Sequence, residues 1–186
     1  MSNFESISSR MIGRIAMLPA EAVLVEKYAK RCKTWLEIGT LWGGSCLLVA
    51  LANPSLKVIC VDPMIGYYGE KDKDANMTPS IEAFYENLRR FDVVERVTLL
   101  QQESSPFPDV FADCIFIDGA HDYDSVKHDM QSACEHAKRY ILCHDTNDEN
   151  ILRAIQDGIT PQWKESASSD CMKIYRKASE KWVTPS

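Results

Sequence analysis

Asp118, His121, His144 and Asp145 are the residues of this chain whose types and spacing could do chemistry. Asp118 follows the apolar run 114–117, and His144-Asp145 follows the run 140–143. If those runs are successive parallel strands joined by a right-handed crossover, they lie side by side. Asp118 and Asp145 then sit at adjacent tips, about 5 Å apart in backbone spacing. Two carboxylates that close repel unless a cation or a proton lies between them. Oxygen ligands of this type suit magnesium or another divalent cation, which would hold a substrate hydroxyl and ease its deprotonation, with Asp118, Asp145 and His144 as the candidate ligands. His121 reads two ways. It is a general base, a neutral imidazole taking a proton near pH 7, or it orients a substrate or caps the following helix. Asp118, His121 and Asp145 are the catalytic candidates.

A second constellation lies earlier. Leu36-Glu37-Ile38-Gly39-Thr40-Leu41-Trp42-Gly43-Gly44-Ser45 is a glycine-rich turn between a predicted strand and a predicted helix. Glycines there let the backbone turn tightly and approach a ligand closely. The spacing is G-x-x-x-G-G, not the G-x-G-x-x-G that cradles a dinucleotide pyrophosphate. Glu37, two positions before the first glycine, suits a ligand that carries an ammonium group. Asp62 follows at the end of the next predicted strand, where a carboxylate can accept both hydroxyl protons of a ribose. Trp42, Tyr67 and Tyr68 either stack against a sugar or aromatic ligand or pack a lid over it.

These residues need a scaffold that brings strand ends together. Short β-branched runs alternate with helical periods, which predicts an α/β fold with a mostly parallel sheet and helices on both faces. Helices are predicted at 19–30, 45–52 and from a Thr78-Pro79 start to about 91. Another carries Val126, Met130, Ala133 and Ala137 on one face, and a last one, capped by Asn147 or Asp148, carries Ile151, Leu152, Ile155 and Ile159. Strands are predicted at 34–38, 57–61, 96–101, 114–117 and 140–143, with a closing antiparallel hairpin at 163–167 and 171–176. In open parallel sheets, ligands bind beyond the carboxyl ends of the strands. Glu37, Asp62, Asp118 and Asp145 all fall there.

At 186 residues the chain fits a single domain, 1–186, with an N-terminal helical segment at 1–18 and a variable loop or lid at 63–78. A net charge of −6 without a basic run argues against nucleic acid and anionic membranes and toward a small-molecule partner. The longest strongly apolar stretch, 46–52, is too short to span a bilayer, and the first residues lack a signal-peptide layout. Seven cysteines, an odd number with no C-x-x-C pair, read as buried free thiols and point to the cytoplasm. A homo-oligomer stays open, since no pattern specifies one.

Over residues 19–176 the chain resembles the class I methyltransferases, carried by LEIGTLWGGS, VDP, FIDGAHDYDSVKHDM and ILCHD. Within them it is most similar to the macrocin-type and cephalosporin-biosynthesis methyltransferase-like group. The resemblance implies a Rossmann-like seven-stranded sheet with one antiparallel strand, and S-adenosylmethionine as cofactor. It places Gly39, Thr40, Gly43, Gly44 and Ser45 around the methionine part, with Glu37 shaping the loop. Asp62 would take the ribose, and Gln102, Glu103 and Ser104 would flank the adenine. Asp118 also belongs to the donor-binding set. The implied activity is methyl transfer to a small-molecule hydroxyl, of a sugar or a catechol-like phenol, with Mg2+ or another divalent cation assisting. One departure stands out: catechol-type enzymes have Asp-Asn after the fifth strand, where this chain has His144-Asp145.

Three other readings remain. An NAD(P)-dependent oxidoreductase conflicts with the glycine spacing. A nucleic-acid amino methyltransferase would carry Asn- or Asp-Pro-Pro-aromatic after the fourth strand, where this chain has Asp118-Gly119-Ala120-His121. A non-catalytic S-adenosylmethionine-binding module would bind the donor without transferring its methyl.

Overall fold

The computed structural model describes residues 2–65 and 79–178; Tyr67, Tyr68 and Thr78 lie outside them. The chain runs α1 (Asn3–Ser8), α2 (Pro19–Ala29), β1 (Thr34–Ile38), α3 (Gly44–Ala52), β2 (Lys57–Val61) and α4 (Ile81–Arg90). After one 3-10 turn come β3 (Val97–Leu100), β4 (Ala112–Ile117), α5 (Tyr123–His136), β5 (Ala137–Cys143), α6 (Glu149–Gly158), β6 (Trp163–Ser168) and β7 (Lys173–Lys177). The seven strands form one sheet in the order β3-β2-β1-β4-β5-β7-β6. All neighbours from β3 to β5 pair in parallel, and β7 is antiparallel to both β5 and β6. Among the described residues no helix is long and apolar enough to cross a membrane.

The two-residue period of the strands divides the core between the sheet's faces. Trp35, Cys114, Phe116, Tyr140 and Leu142 point to the side covered by α1 to α4. Leu36, Ile115, Ile117, Ile141 and Cys143 point to the side covered by α5 and α6. Both faces are therefore dry, which is why the strands read as nearly continuous apolar runs.

Several boundaries differ from the sequence expectation. The N-terminal segment is helical only over Asn3–Ser8, opened by a capping box in which Ser2 Oγ accepts the Glu5 N–H and Glu5 accepts the Ser2 N–H. It cannot continue through Gly13, whose φ is +81° and whose missing Cβ leaves room for the Trp42 ring. That packing also buries Trp42 to 2% exposure, so it is core and does not stack on a ligand. Ser80, not Thr78, caps α4 by accepting the Ala83 N–H. Of the two expected caps of α6, Asp148 is the one that accepts from the first turn, as expected. Ala137, expected on a helix face, opens β5 with no loop in between, because a buried alanine satisfies either period.

The strand order reverses between β1 and β4, and this switch point creates the crevice at the carboxyl edge. There the tips lock together: Gly39 N–H donates to Val61 O, Asp118 N–H to Ile38 O, and His144 N–H to Ile117 O. Gly39, at φ +82°, has the Asp118 carbonyl oxygen 2.2 Å from where a Cβ would stand. Gly39→Ala therefore combines a strained backbone with a clash against another strand's main chain, and should cost more than about 2 kcal/mol in urea unfolding. Gly119→Ala, whose Cβ would meet an Ile38 methyl at 3.1 Å and no main-chain atom nearer than 3.6 Å, without a positive φ, should cost clearly less. Equal stability of the two variants would contradict this packing.

Candidate functional site

The glycine loop is held by a single carboxylate. Asp62 Oδ2 accepts the backbone N–H groups of Thr40 (2.9 Å) and Leu41 (3.1 Å), and Oδ1 accepts that of Met64 (2.8 Å). The loop reverses direction through two left-handed residues, Leu41 (φ 51°) and Gly43 (φ 83°), and delivers the chain into α3. Asp62 is 1% exposed, yet it belongs to the wall of a cavity of about 1280 Å³ at the carboxyl edge of the sheet. Gly39, Thr40, Gly44, Ser45 and Asp118 line the same cavity, as do Gln102, Glu103 and Ser104 beyond β3.

Glu37 and Gly43 are not part of that wall. Gly43 packs its α-carbon against Phe84, where a Cβ would come to 3.0 Å. Glu37 is fully buried beneath the loop, with no normal hydrogen bond at either oxygen. Burial pushes its pKa up to about 8, against the easing effect of the Thr40 and Ser45 hydroxyls, while Asp118 and Asp62 push it further up. It is thus a neutral acid under the loop at pH 7 rather than a counter-charge facing a ligand.

Two further segments complete the wall, one from the N-terminal segment and one from α5. Residues 14–17 reach the cavity with Arg14 and Met17, just after Ile12, which Asn87, fully buried on α4, ties to the glycine loop. Asn87 accepts the Ile12 N–H at 2.7 Å and donates to the carbonyls of Ile12 and Trp42, both at 2.9 Å. The first turns of α5 contribute Asp124, Ser125 and His128. The four-residue spacing of Asp124 and His128 puts both on one helical face. Behind them Asp129 is 1% exposed, and burial raises its pKa to about 6 despite the neighbouring Ser104 hydroxyl and His128.

The second constellation does assemble. His121 Nε2 lies 3.1 Å from Asp145 Oδ2, and His144 Nδ1 lies 3.0 Å from Asp118 Oδ1 and 3.2 Å from Asp145 Oδ2. Asp118, His121 and Asp145 line the cavity, whereas His144 is buried behind them. Its Nε2 stands 3.2 Å from Oε2 of Glu21, a residue that sequence reasoning did not single out. Burial pulls the His144 pKa down, but hydrogen bonding and charge from Asp118 and Asp145 outweigh it and raise it to about 11. His144 is therefore an imidazolium, the cation that lets two carboxylates share this space. The Asp145 pKa is raised by burial but, on balance, falls well below the usual range because His121 and His144 both bond it. For Asp118, burial wins over His144 and the shift is upward. The Asp145 bond raises that of His121.

A family model described as a methyltransferase domain matches residues 36–146. No curated protein matches the chain at a significant level. Among solved structures, the cofactor-bound Rv0187 from MTB is 20% identical, with 95% of this chain and 88% of that one covered at a TM-score of 0.67. A putative O-methyltransferase from Klebsiella pneumoniae is 17% identical, covering 95% and 87% at 0.65. The O-methyltransferase from Bacillus cereus in complex with SAH is 14% identical, covering 94% and 90%, also at 0.65. At these identities the three structures share the fold with this chain.

The buried acid behind the α5 wall gives a pH test. The folded-state pKa of Asp129 lies above its ordinary 3.8, so its contribution favours folding below about pH 4 and is lost as pH rises through about 6. Asp129→Asn should then raise the melting temperature at pH 8, by an equivalent of at most about 3 kcal/mol. The gain should shrink toward zero at pH 4. A gain that is the same at both pH values would contradict the burial of a charged Asp129.

Proposed function

The chain belongs to the methyltransferase domain family, and from that premise we propose that it transfers the methyl group of S-adenosylmethionine to a hydroxyl oxygen of a small molecule. One observation carries the reading: a single cavity wall holds both the Asp62-tied glycine loop and the Asp118–His121–Asp145 cluster, joined where Gly39 touches Asp118. The relative from Bacillus cereus, which binds SAH on the same fold, supports it.

In this reading the methionine part of the donor lies along residues 39–45, with its carboxylate near the N-terminal end of α3. The ribose hydroxyls lie against the Asp62 carboxylate, the same group that ties the glycine loop. The adenine lies against Gln102, Glu103 and Ser104. The acceptor hydroxyl meets the cluster, where fixed dipoles replace water. Its oxygen attacks the methyl carbon in line with sulfur. A C–O bond forms, the C–S bond breaks with its electron pair left on sulfur, and the demethylated donor departs. Asp145 accepts from Nε2 of His121, which leaves Nδ1 to take the acceptor's proton. A sugar hydroxyl and a catechol-like phenol both satisfy this chemistry.

A divalent cation also fits the cluster. Asp118, His121 and Asp145 each offer a ligand atom, and these atoms lie within 4.8 Å of one another. His144, expected as a ligand, has its ring nitrogens turned to Glu21 and to the two aspartates, so His121 takes that place. Two carboxylates with an imidazole suit manganese or zinc as well as magnesium. Such a cation would lower the cost of exposing an oxygen lone pair on the acceptor.

Calorimetry with S-adenosylhomocysteine should show binding to the wild type and a loss of about tenfold or more in Asp62→Ala. Asp145→Asn should keep that affinity within about threefold and lose methyl transfer. A wild type that does not bind the molecule would sink the reading. Mn2+ should raise the melting temperature of the wild type and leave Asp145→Asn unchanged; an equal rise in both would place the cation elsewhere.

A further inference from the structure

Glu21 is the innermost member of a file of charged groups that runs outward to the cavity. Its Oε2 accepts the Leu18 N–H at 2.7 Å and stands 3.2 Å from His144 Nε2, across 123 residues of sequence. His144 Nδ1 then bridges Asp118 and Asp145, and Asp145 meets His121. Side-chain exposure climbs along the file from 3% at Glu21 and 6% at His144 to 59% at His121. Glu21 is thus sealed away from any acceptor, yet one histidine separates it from the carboxylates that face one. Its other oxygen, Oε1, makes no normal hydrogen bond, and the Cys171 thiol is the further polar neighbour of this carboxylate. An acid so costly to bury is not needed to cap α2, since exposed caps do that in many helices.

An imidazole rotates about a soft, two-fold torsion, and a fixed partner on one nitrogen selects which way the other points. Asp145 itself has a left-handed backbone (φ 52°), so contacts rather than backbone preference set its direction. We propose that Glu21 is a positioning residue for the methyl-transfer site: it fixes the His144 ring so that Nδ1 holds Asp118 and Asp145 in the orientation that presents Asp145 to His121. This deepens the function proposed above and rests on it for the chemistry, though the geometric claim stands apart.

Glu21→Asp and Glu21→Gln separate the alternatives. Aspartate keeps the charge but withdraws the carboxylate by one methylene, out of reach of His144; glutamine keeps length and an acceptor oxygen. Long-range 1H–15N spectra resolve the ring signals of the four histidines, calorimetry with S-adenosylhomocysteine reports donor binding, and turnover is measured on any hydroxyl acceptor that the wild type methylates. Glu21→Asp should move the ring signals of both His144 and His121 and lower kcat about tenfold or more, with donor affinity unchanged within about twofold. Glu21→Gln should restore both ring signals and most of kcat. Wild-type His121 signals in Glu21→Asp would overturn the proposal, as would a kcat loss in Glu21→Gln equal to that in Glu21→Asp. If the wild type binds no donor, the functional reading fails, while the ring signals still decide what Glu21 does.

Discussion

Everything at the carboxyl edge depends on one contact with no room for a side chain: Gly39 against the main chain of Asp118. Parallel pairing of β1 with β4 brings these two residues together at the point where the strand order reverses. Because a glycine stands there, the loop after β1 and the loop after β4 form one continuous wall. A nucleoside bound along the first loop is then a neighbour of the acid at the end of the second. A Cβ at this joint would push the two halves of the site apart, and effective alignment of reacting atoms does not survive displacements of about 1 Å.

Around that joint the fold separates acids by environment. Glu37 and Asp129 are buried with little to bond them, so burial raises their pKa values to about 8 and about 6. Asp145 is held between two histidines and goes the other way. Asp62 solves its burial by spending both oxygens on backbone N–H groups, so a residue of the cavity wall also sets the shape of the loop beside it. His144, enclosed by the carboxylates of Glu21, Asp118 and its own neighbour Asp145, is the counter-charge that makes this density of acids tolerable.

How much of this was legible in the sequence follows from which interactions are local. β1 and β2 match the expected runs at 34–38 and 57–61, because a buried parallel strand is a short apolar stretch closed by a turn. The acids at strand tips were legible for the same reason: a strand's end fixes where the next residue points. Their meeting across strands then followed from topology. Trp42 was not legible, since an aromatic beside a glycine loop looks alike whether it faces a ligand or, as here, Gly13. Glu21 left no signal, because at the third position of a helix it reads as a cap, which it also is. His128 did leave one, in its four-residue spacing from Asp124. Which way His144 faces was not legible, because sequence adjacency to Asp145 does not say whether a ring lines the cavity or, as here, turns inward to Glu21.

The most direct test of the whole account is a crystal structure of the chain bound to S-adenosylhomocysteine. The sulfur should lie at the Gly39–Asp118 joint, turned toward His121, with the sugar on Asp62 and the base beside Ser104. A ligand bound in the reverse sense, with its base on the glycine loop, or bound outside this cavity, would contradict it.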